Sequence, residues 1–164
     1  MFSIFKRKEA NEEVVTDLKA FLSGTVIPME EVEDEVFSSK AMGNGLAIKP
    51  KNNIVIAPCN GVISLVMKDS KHAVGITLNN GAELLIHVGI DTVNMNGEGF
   101  TLFVQEGDKI KAGDKILQFD MDLIQKKGFL TTTVLVLTNS DEFPNANFIT
   151  GIEAKINETA IVTF

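Results

Sequence analysis

Apolar positions along this chain fall into short runs of about five residues, separated by clusters of glycine and asparagine. Residues 25–27, 46–48, 54–56, 62–66, 74–78 and 83–88 are β-branched or otherwise apolar, and the runs 100–104, 115–119, 132–138 and 152–156 repeat the pattern. Ser23-Gly24, Gly43-Asn44-Gly45, Asn60-Gly61, Asn79-Asn80-Gly81 and Asn96-Gly97 supply the turn chemistry between them. Many short strands spaced by turn residues predict an all-β sandwich or barrel in a single domain. Two stretches break the pattern. Residues 32–40 are compatible with one or two helical turns, and residues 120–128 open on acids and close on lysines and a glycine, the polarity a short helix favours.

Alternation within the run 83–88 puts Glu83, Leu85 and His87 on one face and Leu84, Ile86 and Val88 on the other. The second set is wholly apolar and reads as the core face. His87 therefore points outward or into a shallow depression beside Leu85, and Gly89 removes a side chain close to the ring. If this run pairs with 74–78 through the Asn79-Asn80-Gly81 turn, the residues near 72 lie opposite those near 88. That register brings His72 beside His87, and these are the only two histidines of the 164 residues. On its own side, His72 would share the face of Val74, Ile76 and Leu78.

Composition narrows the chemistry. An apolar share of 45% and a charged share of 23% suit a globular domain with a substantial core. No apolar run approaches the roughly 20 residues that span a bilayer, and the start lacks a secretory signal, so a cytoplasmic location is expected. A net charge of −7, with neither tryptophan nor tyrosine, argues against nucleic acid and for a basic protein partner. Cys59 is the single cysteine, at a strand end entering a turn, and reads as a packing residue. Residues 1–17 differ from the domain expected over 18–164. Phe2, Ile4 and Phe5 beside Lys6, Arg7 and Lys8 read as a frayed terminus or, less favoured, as a short amphipathic helix on an anionic membrane surface. Met1 and this basic, hydrophobic start favour a free-standing protein.

Two adjacent imidazoles suit a metal site, an acid/base pair, or a phosphohistidine supported by a second ring. The alternative is a pair of satisfied polar residues at strand edges. A zinc peptidase needs three protein ligands and often a His-x-His pair; this chain has none, and its histidines stand 15 positions apart. The repeated Gly-Asp of Gly107-Asp108 and Gly113-Asp114 marks a tight turn also found in lipoyl and biotinyl carrier domains. Lys68 follows Met67, but the rest of the carrier signature is missing.

The run from Gly81 to Val93 resembles the signature of the glucose-class IIA domain of the bacterial phosphoenolpyruvate:sugar phosphotransferase system: a glycine, three aliphatic residues before the histidine, then apolar-Gly-apolar-x-Thr. The likeness extends through residues 36–40, 43–50, 57–61, 71–75 and 96–100, and covers the chain from about residue 20 onward. It departs at Phe21, Glu33 and Glu35, where relatives often carry proline, and in the polar stretch 67–71.

The resemblance implies a compact antiparallel β-sandwich of the duplicated hybrid type and a phosphotransferase component. His87 matches the histidine that takes a phosphoryl group from phosphorylated HPr and passes it to a cysteine on the IIB domain of a sugar permease; His72 matches its supporting histidine. Ser70 and Asp91 are expected near the phosphoryl group, Asp91 alternatively as the cap of the next turn. Val36, Phe37, Ile48, Met67, Leu85 and Val93 are expected as an apolar docking ring, with ordinary core packing as the competing reading, stronger for Ile48 and Val36 than for Phe37. No cofactor is required, and zinc is expected at the histidine pair only in a complex with a regulatory protein partner. A regulatory binding module without transfer is the second reading.

Overall fold

A computed structural model describes residues 17–164; the expected N-terminal segment, apart from Asp17, lies outside the described residues. The first half contains β1 (Asp17–Lys19), β2 (Gly24–Pro28), α1 (Glu35–Ser38), β3 (Asn44–Pro50), β4 (Ile54–Ile56), β5 (Gly61–Val66), β6 (Ala73–Thr77) and β7 (Glu83–Ile90). The second contains β8 (Phe100–Leu102), β9 (Lys109–Ile110), β10 (Lys115–Phe119), α2 (Met121–Lys126), β11 (Leu130–Leu137), β12 (Asn147–Phe148), β13 (Ile152–Ala154) and β14 (Ala160–Thr163). Short 3-10 turns stand at Met29–Glu31, Thr92–Met95 and Ser140–Glu142.

The strands pair antiparallel throughout. One large sheet runs β13-β2-β3-β11-β7-β6-β5-β9, and two three-stranded sheets run β4-β10-β8 and β1-β14-β12. The all-β sandwich expected from the turn spacing is thus the observed architecture, with two short helices. Among the described residues no helix is long and apolar enough to cross a membrane.

Alternation along β7 and β11 divides the apolar residues between two cores. Leu84, Ile86, Val88, Leu135 and Leu137 enter the main cluster with Phe21, Ile48, Ile76, Leu117 and Phe119. Val134 and Val136, on the opposite face, join Ile27, Met29, Val32, Phe37, Ala47 and Ile90 in a smaller cluster, against which Leu85 packs. The face bearing His87 is therefore not simply solvent-facing. The segment 29–37 folds across part of it, because the large sheet is apolar on both sides there and must be covered.

Several expected elements are shorter than their hydrophobic runs. Helix stretch 32–40 contracts to the four residues of α1, with Asp34 as N-cap accepting the Val36 amide at 2.9 Å. Stretch 100–104 ends as a strand at Leu102 and stretch 152–156 at Ala154. Four strands escape the sequence pattern: β1, β9, β12 and β14 have two to four residues each. At that length an extended segment is defined by its neighbour, as when β14 joins β1 on one side and β12 on the other.

The Gly-Asp repeat resolves into paired turn caps. Asp108 accepts the Gln105 amide and Asp114 the Lys111 amide, each at 2.8 Å. Cys59 is buried, and burial pushes its thiol up to about 12, consistent with a packing residue.

Ile48 is fully buried in the main core between β2 and β11, where it pairs with Val26 and Thr133; it has no surface to offer a partner. Val36, by contrast, is 52% exposed. Ile48→Ala is expected to cost about 3 kcal/mol of stability through lost burial and a residual cavity. Val36→Ala should stay within about 0.5 kcal/mol. Urea unfolding at pH 7 of both variants checks the contrast.

Candidate functional site

β6 and β7 form a hairpin whose register places Ala73 opposite His87 and Thr77 opposite Glu83. His72 precedes the first paired residue, and its carbonyl accepts the Val88 amide at 2.7 Å. The expected apposition of residues 72 and 88 is the one observed. The side chain of His72 nonetheless departs from the expected face. Val74, Ile76 and Leu78 enter the main core, whereas the His72 ring meets His87, whose partner across the hairpin is Ala73. Regular alternation stops at Ala73, and Lys71, two residues earlier, has a left-handed backbone with φ 57°.

The two imidazoles meet edge to face with centroids 4.6 Å apart and planes at 89°. Phe37, at the end of the segment that covers the smaller core, packs on the other side of His87 at 4.9 Å and 61°. His87 Nδ1 lies 2.9 Å from the carbonyl oxygen of Gly89. A carbonyl can only accept, so the neutral ring carries its proton on Nδ1 and leaves the Nε2 lone pair free. His72 Nδ1 lies 2.8 Å from Ser70 Oγ, a hydroxyl that can donate to it and leave the His72 proton on Nε2. Among the described residues neither Nε2 has a hydrogen-bond partner, and no buried side-chain nitrogen or oxygen lacks one. Both Nε2 atoms therefore reach solvent.

Gly89 has a role other than opening space. Its φ is +79°, and a Cβ there would lie 2.3 Å from Thr92 Cγ2 and 2.9 Å from the Leu130 carbonyl oxygen. The position needs glycine for its backbone conformation and tight packing. Opposite it, the β7–β11 pairing slips: Leu130 faces Ile90 and Thr133 faces Val88, so two residues of β11 oppose Gly89 alone. A bulge beside the histidine turns the Gly89 carbonyl back toward the ring.

Charge and burial act together on the pair. Burial first, and the neighbouring His87 second, bring His72 down to about 4. Burial also lowers His87, while the Gly89 carbonyl and the carboxylates of Asp34 and Asp91 oppose the shift. Both rings are neutral near pH 7.

The remaining expected site residues divide by position. Ser70 is buried against His72. Asp91 adopts a left-handed conformation at φ 63°, stands at the start of the 3-10 turn without a side-chain cap bond, and is near enough to bias His87. Val36, Met67 and Val93 are exposed large hydrophobics, Leu85 is half-buried, and Phe37 is only 5% exposed. The competing core-packing reading thus holds for Phe37 and Ile48 and fails for Val36. Lys68 is an exposed residue lining an open, mostly apolar groove with Met67, Asp69 and Val93.

Sequence reasoning missed Asp34 and the Gly89 carbonyl. Asp34 was legible only as part of an acidic helical stretch, and a backbone acceptor has no side-chain signal. Among the described residues no group of three or more histidine, cysteine, aspartate or glutamate side chains is placed to hold a metal ion. The imidazole pair could supply two of the four ligands that tetrahedral zinc takes.

Fold and site together define an all-β protein with two neutral imidazoles in edge-to-face contact, each with its Nε2 open to solvent. The family model of the phosphoenolpyruvate-dependent sugar phosphotransferase system, EIIA 1, matches residues 16–143. A glucose-specific EIIA component of that system from Oceanobacillus iheyensis is 41% identical over 160 residues, covering 98% of this chain and 96% of the relative. Another from Halalkalibacterium halodurans is 46% identical over 142 residues, covering 87% and 82%. Among solved structures, the glucose permease IIA from Mycoplasma capricolum superposes with a TM-score of 0.77 at 33% identity, over 90% of this chain and 94% of that one. The chain belongs to the EIIA 1 family of the sugar phosphotransferase system and is a phosphocarrier of that system.

The buried histidine makes stability depend on pH. Unfolded His72 protonates near its ordinary value of about 6.5, whereas the folded ring resists until about 4. The unfolded state binds more protons across that window, so stability is complete above pH 6.5 and falls as pH drops toward 4. From pH 7 to pH 5 the loss from His72 should be about 2 kcal/mol. Urea unfolding at both values should show His72→Gln losing less than the parent by that amount.

Proposed function

We propose that His87 Nε2 is the atom that carries the phosphoryl group, received from phosphorylated HPr and delivered to a IIB domain. The observation that carries this reading is the 2.9 Å contact between His87 Nδ1 and the Gly89 carbonyl, which leaves Nε2 as the lone-pair nitrogen of a neutral, solvent-reachable ring. In the forward step the Nε2 lone pair attacks phosphorus, an N–P bond forms, and the bond from phosphorus to the donor breaks with its electron pair leaving on the donor. Phosphoryl transfer passes through a loose transition state, so positioning and charge account for most of the catalysis.

His72 supports the group rather than competing for it. With Ser70 donating to its Nδ1, its Nε2–H is available to a phosphoryl oxygen. Arrival of a dianion beside it raises its proton affinity, and a protonated ring gives a stronger, charge-assisted bond. Asp34 and Asp91 act in the opposite sense: their negative charge disfavours the phosphorylated state and keeps it transferable. The same acids, set beside exposed Val36, Met67 and Val93, suit a partner with an apolar patch ringed by basic side chains. The similar proteins are named for glucose, which makes a glucose-class permease the first recipient to test. A zinc ion bridging the pair would need its other ligands from a regulatory partner.

With phosphoenolpyruvate, enzyme I and HPr supplied, the protein should acquire acid-labile phosphate, and His87→Ala should acquire none. His72→Ala should still accept phosphate and fail to pass it on; equal loss of both steps would refute the division of roles. Because burial lowers His87, its nucleophilic form persists below the ordinary histidine value of about 6.5. The acceptance rate should stay level from pH 8 to 6.5 and decline only at lower pH, as read in rapid-quench labelling with wild-type HPr.

A further inference from the structure

Thr92 is fully buried, five residues after His87, and its hydroxyl donates to the Val88 carbonyl. Its placement follows from the backbone. Gly89 at φ +79° and Asp91 at φ 63° fold the chain back on itself after β7, so that Thr92 comes to rest on Gly89. The Thr92 methyl occupies the space a Gly89 Cβ would need, at 2.3 Å, and its hydroxyl oxygen lies 3.0 Å from the same point. The methyl fills the space beside Gly89, and the hydroxyl holds the carbonyl of the peptide that joins Val88 to Gly89. That peptide leads directly to the carbonyl that accepts His87 Nδ1.

We infer that Thr92 is a positioning residue for His87: by holding the Val88–Gly89 peptide through its hydroxyl, it keeps the Gly89 carbonyl aimed at Nδ1 and so confines the ring proton there. This inference rests on the reading that Nε2 is the nucleophile. Without the hydroxyl clamp the bulged peptide is free to rotate, the Nδ1 acceptor is lost for part of the population, and the proton is shared between the two nitrogens. Rings protonated at Nε2 carry their lone pair on Nδ1, the nitrogen turned toward the Gly89 backbone and away from the partner. The inside of a β7–β11 bulge is a place where such a clamp has effect, because Gly89 faces two residues of β11 and lacks a regular one-to-one ladder partner.

The test separates the hydroxyl from the methyl. Thr92→Val keeps the methyl and removes the donor; Thr92→Ser keeps the donor. Nitrogen NMR of histidine-labelled, unphosphorylated protein at pH 7.5 should report a single Nδ1–H tautomer for His87 in the parent and in Thr92→Ser, and a mixture in Thr92→Val. The initial rate of phosphate acceptance should fall about tenfold in Thr92→Val, with the KM for phosphorylated HPr unchanged, and Thr92→Ser should restore it. Thr92→Ala, which adds no bulk, gives the same readout should the valine variant fail to fold. An unchanged Nδ1–H tautomer in a folded variant lacking the hydroxyl would overturn the inference. The tautomer is read without any phosphate donor, so failure of labelling in the parent protein would strike the transfer reading and leave this result standing.

Discussion

The hydrogen bond from His87 Nδ1 to the Gly89 carbonyl is the contact on which the rest of the site depends. A neutral imidazole offers one lone pair, and which nitrogen bears it decides whether the ring faces its partner as a nucleophile or as a donor. A strand carbonyl in a regular ladder points along the sheet and is spoken for by the neighbouring strand. Here a positive φ at Gly89 and a bulge against β11 release that carbonyl to the ring two residues upstream. The bond thus ties the chemistry to backbone geometry that only glycine at this position, packed under Thr92, can adopt.

Around that bond the protein shields most of both imidazoles while leaving their Nε2 atoms open. Phe37 and His72 flank the His87 ring, and the segment 29–37 closes the smaller core behind it. Burial of this kind disfavours protonation of both rings, which suits a nucleophile but would be self-defeating if carried too far. Asp34 and Asp91 limit the shift on His87, and His72, lacking such acids, falls further, to about 4. Two neighbouring histidines are thereby given unlike proton affinities by their surroundings. That asymmetry is what the proposed division between an attacking and a supporting ring requires.

Much of this was readable from residue order. The alternation in 83–88 identified the core face of β7, and the Asn79-Asn80-Gly81 turn set the hairpin register that brings residue 72 opposite residue 88. Run 115–119 matched β10 to the residue, because a continuous apolar and β-branched segment bounded by turn chemistry has few other uses. Position on a strand says less about which side chains remain outside. Val36 and Phe37 are adjacent in sequence, yet α1 turns one to solvent and the other under His87. Ile48 has the composition of a docking residue and the location of a core residue, a distinction made by β2 and β11 on either side of it.

What the sequence by itself determined was the set of local rules: period-two faces, turn positions, the approach of two histidines across one hairpin, and the glycine that follows the second. These depend on neighbours within a few residues or on a single short loop, where sterics and burial leave little choice. Tertiary structure alone decided the direction of the His72 ring, the second core beneath segment 29–37, the nearness of Asp34 and the bulge that frees the Gly89 carbonyl. Each of those depends on a strand or segment distant in the chain, and a backbone carbonyl acquires its partner only when three-dimensional packing removes the one a regular sheet would provide.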